Sequence, residues 1–535
     1  MPKGKPKVLL TSVYGPFETF EDGSSMMDLY AGRLTKGQEI FTIKSYYPSL
    51  PLYLIAENIS APAVVLEFPT LKQFTRELRK GYDYVGIHFA ASLFFDKVLT
   101  MCRLIRKISP KTKIVLGGYG VVCVDQDFQN EADLRELVDY VCRGEGVRFM
   151  RELVGDPVDA PISENFPQSY FRIMSVKIPF NNLITAVGCR AGCEFCATSA
   201  FFKRDKIFLL SPSEFWAALK NYIKRGNVWF TWVFNEDFFA DPEYVREFGR
   251  IVESDKEVSL DKIVWGGFGS VRALSQYDVE ELVRMGVQAV WVGIESKYTN
   301  LPKRQGKSIK EIFESLHSAG IMTIGSFIVG WDFHTSETVK EDIEHVVSLN
   351  PTFSQISSLM PCPGTKFWDR MLEEKRLRTE DFKWKGFHLY AAVHKHLHMT
   401  DDEVRFYVRE TQRRLYEENG PSVLRMLEVV LNGYARYRDA PDRRLRERAS
   451  YFMRQAKVMY PTLLAIRVFA PSEKVRDKVA KIRLRYRREI GHVSPVSWCA
   501  SFLFLVATVI AKISSIRRHK VERLPCRRTC YNGAR

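Results

Sequence analysis

The densest group of reactive side chains in the sequence is GCRAGCEFC, residues 188–196, where Cys189, Cys193 and Cys196 follow a CxxxCxxC spacing and the aromatic Phe195 precedes the last thiol. Three thiolates can hold three irons of a four-iron four-sulfur cluster and leave the fourth open. A cluster needs that open iron if it is to bind and reduce a small molecule and not merely relay electrons. The other uses of such thiols are a zinc site or buried free cysteines. Zinc would want a fourth Cys or His close by, and this loop supplies none. The remaining cysteines, at 102, 123, 142, 362, 499, 526 and 530, are dispersed. A disulfide framework is not expected in a chain of 535 residues.

The cysteine loop follows NLITAVG (182–188), the first of six strand-like runs. The others are NVWFTWVF (227–234), KIVWGGF (262–268), AVWVGIES (289–296), MTIGSFIVG (322–330) and FSQISSLMP (353–361), each but the last trailed by a helix-like segment. Six such units make three quarters of a β/α barrel, whose chemistry belongs at the carboxyl ends of its strands. Upstream, KVLLTSVYG (7–15), YDYVGIHFA (82–90), KIVLGGYG (113–120) and LVDYVCRGEG (137–146) alternate with amphipathic stretches such as 96–110, which sets Val98, Met101, Cys102 and Ile105 on one helical face. That is a doubly wound layout, with ligands expected at the strand ends where Ser92, Gly117 and Gly118 fall. The predicted fold is therefore α/β: a Rossmann-like domain over 1–154, a Pro- and Asp-rich linker over 155–170, a partial (β/α)6 TIM-like barrel over 171–399, and an α-helical region beyond 400.

The cysteine spacing, its aromatic residue and its place after the first barrel strand resemble the radical S-adenosylmethionine (SAM) superfamily. The resemblance implies that the open iron binds SAM, and that reductive cleavage yields a 5′-deoxyadenosyl radical. It also implies an external electron donor of the flavodoxin or ferredoxin type. TWVFNEDFFAD (231–241) resembles the family's acidic strand end beside the methionine amino group, which nominates Glu236 and Asp237. WVGIES (291–296) resembles the strand ending in Glu-Ser near the cofactor, nominating Glu295 and Ser296 with Arg272 behind them, while GSFIVGWDFHTSET (325–338) resembles the adenine-contacting strand with Gly330 at its turn. MPCPGT (360–365) resembles the closing loop. With Phe195, these residues form the expected SAM site.

A Rossmann-like unit ahead of such a barrel resembles the branch with a cobalamin-binding domain, over about residues 7–390. Here Ser92, Gly117 and Gly118 are the candidate cobalamin contacts, glycine allowing close backbone approach. His88 alone matches the histidine loop of other cobalamin proteins and is read as a strand-end histidine. Bound cobalamin implies methylation of an unactivated carbon, and without it the radical would rearrange, couple or oxidise. VHKHLHM (393–399) sets His394, His396 and His398 on one face of a strand, but no Cys or carboxylate accompanies them as a metal site would require.

The net charge of +16 is localised: residues 401–490 hold 22 Lys and Arg against 13 Asp and Glu, and residues 491–535 hold 8 against 1, leaving the first 400 balanced. Residues 491–511 carry no charge, and WCASFLFLVATVIA (498–511) is a dense apolar run between basic flanks. The run is shorter than the ~20 residues of a bilayer span. Monotopic attachment of residues 491–535 to an anionic membrane surface is the expectation, a buried core helix the alternative. The N-terminus lacks signal-peptide features, so the expected place is the cytoplasm, at the inner face of the membrane. An enzyme held there acts most economically on a lipid. RNA bound by the basic helices is the competing substrate, and a non-catalytic binding module the third reading.

Overall fold

The computed structural model describes residues 5–19, 33–173, 176–226, 230–380, 382–388, 393–514, 521–522 and 524–534. VLLTS becomes the strand Val8–Ser12, buried throughout because both faces of its sheet are covered. Side chains alternate between those faces. Leu9, Val64, Val85 and Ile114 enter one core with the helices Leu71–Leu78 and Phe95–Ile108. Val8, Leu10, Val65 and Val115 enter another with Leu50–Asn58 and Gly146–Val154. Five parallel strands run in the order Ala63–Glu67, Val8–Ser12, Tyr84–His88, Lys113–Gly117, Tyr140–Cys142. All but Ala63–Glu67 coincide with predicted runs.

The second sheet contains the six predicted barrel strands as six parallel neighbours: Val176–Ile184, Thr231–Phe234, Trp265–Phe268, Val287–Glu295, Met322–Val329 and Phe353–Ser358. Residues 227–229 of the second predicted run lie outside the described residues. Two further strands extend this sheet antiparallel, Ser169–Ile173 and Ile43–Tyr46. The sheet curls: Phe171, near one edge, and Phe353, at the other, wall the same interior cavity. The strand Ile43–Tyr46 comes from inside the span read as the first domain, and Ser169 from inside the span read as linker. The two units are further joined by a shared core in which Trp331, Trp368 and Trp384 pack with Phe89, Phe94 and Phe95.

Beyond residue 400 the chain is helical, through Asp401–Asn419, Ser422–Tyr437, Arg443–Met459, Thr462–Val468 and Glu473–Glu489. Several of its arginines are used internally. Arg448, fully buried, donates to the carbonyls of Ile263 (2.8 Å) and Val287 (3.0 Å) and to the Gln288 side chain (2.7 Å), satisfying acceptors at the amino ends of two barrel strands. Arg414 pairs with Glu344 and Glu418, and Arg413 with Glu410 and Glu417.

The segment read as one membrane-directed unit, 491–535, divides in two. Its first part is the helix Pro495–Ser514. Its end returns to the first sheet, where Arg527–Tyr531 pairs antiparallel with Ala63–Glu67 and closes that edge. VHKHLHM forms no strand: among its described residues only His394 makes an isolated bridge, to Leu377.

Candidate functional site

The short strand Ala186–Gly188 delivers the chain to the cysteine loop at the carboxyl end of the barrel. Gly188 must be glycine, since φ is +86° and a Cβ would lie 2.3 Å from the Asp205 carbonyl oxygen. Ser199 ties the loop, accepting from the Gly192 amide (3.0 Å) and donating to the Cys189 carbonyl (3.0 Å). The three thiols are close enough to influence one another electrostatically. Among the described residues no three Cys, His, Asp or Glu converge on one point as ligands of a single ion must. A four-iron cluster does not ask for that, because each thiolate binds a different iron. The donor set and its fixed loop therefore fit a cluster with one open iron.

Beside Cys189 lies a polar cavity of about 610 Å³. Glu236, Asp237 and Arg272 line it, and so do Arg204, Lys206 and Lys303, which no motif in the sequence marks. The wall presents both signs of charge, as a ligand with ammonium and carboxylate groups requires. Asp237 is partly committed: its carboxylate accepts from the Ser270 amide (2.7 Å) and hydroxyl (2.9 Å), fixing the turn that leads into Arg272. Lys206, 6% exposed, binds Asp241 (2.6 Å) and the Asp237 carbonyl (3.1 Å). Glu295 is buried and ion-paired with Lys303, which also lies over the Phe195 ring. Ser296 and Gly330 stand outside the wall of this cavity. Ser296 donates to buried Asp342, which also accepts from the Lys297 amide (2.8 Å) and contacts His334 Nε2 (3.0 Å). His334 Nδ1 in turn accepts from the Gly330 amide (3.0 Å). These two residues thus brace the ends of adjacent strands, a role set by an Asp and a His no local motif marks.

Glu236 also lines a second, largely apolar cavity of about 420 Å³ between the barrel mouth and the first sheet. Its wall is Tyr47, Trp232, Phe234, Phe268 and Trp291 from the barrel side, with His88 and Tyr119 from the other. Burial pushes the Glu236 carboxyl up to about 7. The cavity continues into the barrel interior past Trp232 and Trp291 to Ile324 and Met426.

A third cavity, about 180 Å³, opens at the carboxyl ends of the first sheet and adjoins the second at His88 and Tyr119. Gly117 and Gly118 line it. Gly118 is required by its own backbone, with φ at +103° and a Cβ only 2.7 Å from the Phe89 carbonyl oxygen. Gly144 leaves open space where a side chain would stand, so the floor can accept a flat group. Ser92 lies off this wall, at the start of the short helix Ser92–Phe94. His88 holds Ser49 through Nδ1 (2.7 Å), and burial brings its pKa down to about 4, so it stays neutral.

No family model matches the chain. An uncharacterized methyltransferase of Pyrococcus horikoshii is 22% identical over 405 residues, 66% of this chain and 85% of the relative. Bacteriochlorophyllide d C-12(1)-methyltransferase of Chlorobaculum tepidum is 21% identical over 258 residues, 46% of this chain and 53% of the relative. A solved structure of the radical SAM methyltransferase TsrM from Kitasatospora setae, with cobalamin and a [4Fe-4S] cluster bound, is 14% identical with a TM-score of 0.49, covering 85% of this chain and all of that one. By its cysteine loop, its barrel and its sequence relatives, the chain is an enzyme similar to the radical SAM methyltransferases.

Proposed function

We propose that this enzyme uses SAM, a four-iron cluster and cobalamin to methylate an unactivated carbon of an apolar, lipid-like substrate. One observation carries the reading: the polar cavity beside Cys189 and the aromatic cavity facing the first sheet share the side chain of Glu236. When bound, the cofactors supply a carbon-centred radical and a transferable methyl group. Cys189, Cys193 and Cys196 would hold the cluster, and a protein of the flavodoxin or ferredoxin type would be its electron donor. Glu236, Asp237 and Arg272, with Lys206, offer both charges to the ends of an amino acid, while Phe195, Glu295, Ser296 and Gly330 shape and brace that end of the barrel. The strand ends of the first sheet, a doubly wound, Rossmann-like unit in this reading, present Gly117, Gly118 and Gly144 as the floor for a corrin.

Trp232, Phe268 and Trp291 give the substrate an apolar bed. Their rings lie 5.3 to 6.0 Å apart, and Trp291 is fixed by its N–H bond to Ser326 (2.6 Å). Among the described residues Glu236 is the one carboxyl lining this cavity, and its burial there raises its pKa to about 7.

The test is anaerobic reconstitution with iron and sulfide, with and without cobalamin, followed by incubation with SAM, reductant and a lipid extract. The reading requires cluster absorbance that disappears in Cys193→Ala, retained corrin, 5′-deoxyadenosine, and a lipid gaining one CH₂. Deoxyadenosine with no methyl gain would replace methylation by radical rearrangement or coupling, and no deoxyadenosine would remove the enzyme reading itself.

A further inference from the structure

We infer that the helix Pro495–Ser514 docks flat on an anionic lipid bilayer, its outer face forming the attachment surface. A helix on a soluble protein turns its large apolar side chains inward and its polar ones outward. This helix packs Phe504 and Leu505 inward but turns most of its large apolar side chains outward and two hydroxyls inward. Ser501 and Thr508, 3% and 0% exposed, face the body, and their hydroxyls are spent on backbone carbonyls of the same helix, those of Ser497 (2.8 Å) and Phe504 (2.7 Å). Val496, Phe502, Leu503, Ile510 and Ile513 are 58 to 78% exposed. A contiguous apolar face of this kind marks an interaction surface.

The helix is held along its length. Near its start the Arg483 guanidinium lies 5.9 Å from the Trp498 ring centre, and near its end the Lys512 ammonium lies 5.1 Å from that of Phe469. Between them Phe504 and Leu505 pack against the barrel-side core. A helix pinned at both ends and the middle presents one face to a bilayer and does not cross it. The helix also lies close to the segment Glu39–Phe41.

Charge decides the occupant. The adjoining stretch KIRLRYRREI (481–490) has five basic residues and one acid, and Arg487 stands one turn beyond Arg483 on the same helix face. A second copy of the chain, apposed face to face, would bring this positive rim against itself. An anionic bilayer meets the apolar face with hydrocarbon and the rim with phosphates. The inference is independent of the chemistry proposed above.

The experiment floats the full chain with vesicles of phosphatidylcholine alone or with one quarter phosphatidylglycerol. Binding to the anionic vesicles is expected to be at least tenfold stronger. The exposed triple substitution Phe502→Ser, Leu503→Ser, Ile510→Ser should reduce it at least tenfold with unchanged circular dichroism. Lys481→Glu with Arg487→Glu should reduce it severalfold and flatten its salt dependence. Alkaline carbonate should release the bound protein. The inference is overturned if the wild type stays with the soluble fraction, if the triple variant binds equally, if carbonate leaves the protein in the vesicles, or if light scattering shows a dimer that the triple variant dissolves.

Discussion

The ammonium of Lys303 lies 5.6 Å from the centre of the Phe195 ring while it is ion-paired with Glu295, so one side chain links the cluster loop to the end of the strand Val287–Glu295. Burial opposes the charge on Lys303, but Glu295 and the neighbouring Cys193 thiol outweigh it and hold its pKa above the ordinary value. Glu295 adopts a left-handed backbone, φ +58°, which aims its carboxylate back toward this lysine. Removing one member of a buried pair strands the other.

Lys303→Met is therefore expected to cost roughly 3–5 kcal/mol in unfolding free energy, and Glu295→Gln a comparable loss. The double variant should recover most of it, because no lone buried charge remains. Denaturant unfolding of all three, with iron content after reconstitution, checks this. A single variant as stable as wild type would show that the pair does not hold the site.

Asp342 gathers three donors from two strand ends, the Ser296 hydroxyl, the Lys297 amide and His334 Nε2. Because His334 Nδ1 accepts from Gly330, its proton sits on Nε2 and points at the carboxylate. Asp342→Ala leaves buried donors without an acceptor, at about 1–3 kcal/mol each. The expected result is a loss of several kcal/mol in urea unfolding and weaker SAM binding, with Asp342→Asn in between. A loss in SAM affinity equal to that of Ser296→Ala alone would reduce Asp342 to supporting that serine.

The barrel was legible because strand periodicity and the cysteine loop reinforced each other. NLITAVG and AVWVGIES are apolar runs ended by residues with evident chemistry. Ile43–Tyr46, IKSY, was not legible: four residues of mixed polarity form a strand here because Ser169–Ile173 offers an open edge. Ala63–Glu67 was missed although every residue in it is buried, since the preceding helix Leu50–Asn58 is apolar all round and blurs the boundary. In the site, Glu236 and Asp237 follow from a strand end, and Arg272 from the resemblance around Glu295 and Ser296. Lys303 and Asp342 do not, because each reaches the site from the segment or helix after a strand and no short-range pattern records that meeting.

Gly118 and Gly144 line the same cavity but answer to different forces. Gly118→Ala meets both a left-handed φ and the Phe89 carbonyl, so a loss of roughly 1–3 kcal/mol or more in stability is expected. Gly144→Leu meets nothing on the protein and projects into the cavity. It should leave the melting temperature within a degree or two of wild type and lower corrin uptake severalfold, read from absorbance after gel filtration. Full corrin uptake by Gly144→Leu would move the cobalamin away from this floor.

The closing strand Arg527–Tyr531 is locked by Arg528, whose Nε and Nη2 donate to the Glu77 carboxylate at 2.9 to 3.1 Å, with Tyr82 adding a bond of 2.6 Å. Burial alone would raise the Glu77 pKa. Hydrogen bonds from Arg528, Tyr82 and Lys80 outweigh it and hold the carboxyl down to about 2. A carboxyl depressed in the folded state from an unfolded value of about 4.3 contributes stability at every pH above that value, and loses it as pH falls from about 4.3 toward 2. Arg528→Gln removes the main cause of the depression. At pH 7 the variant is expected to exchange the amides of Arg527–Tyr531 and the facing edge of Ala63–Glu67 faster than wild type. Because the contribution fades with acid, the difference should shrink steadily between pH 4 and pH 2.5, after correction for intrinsic exchange. A difference that stays constant across that range would mean that Arg528 holds the strand by packing and not by its charge on Glu77.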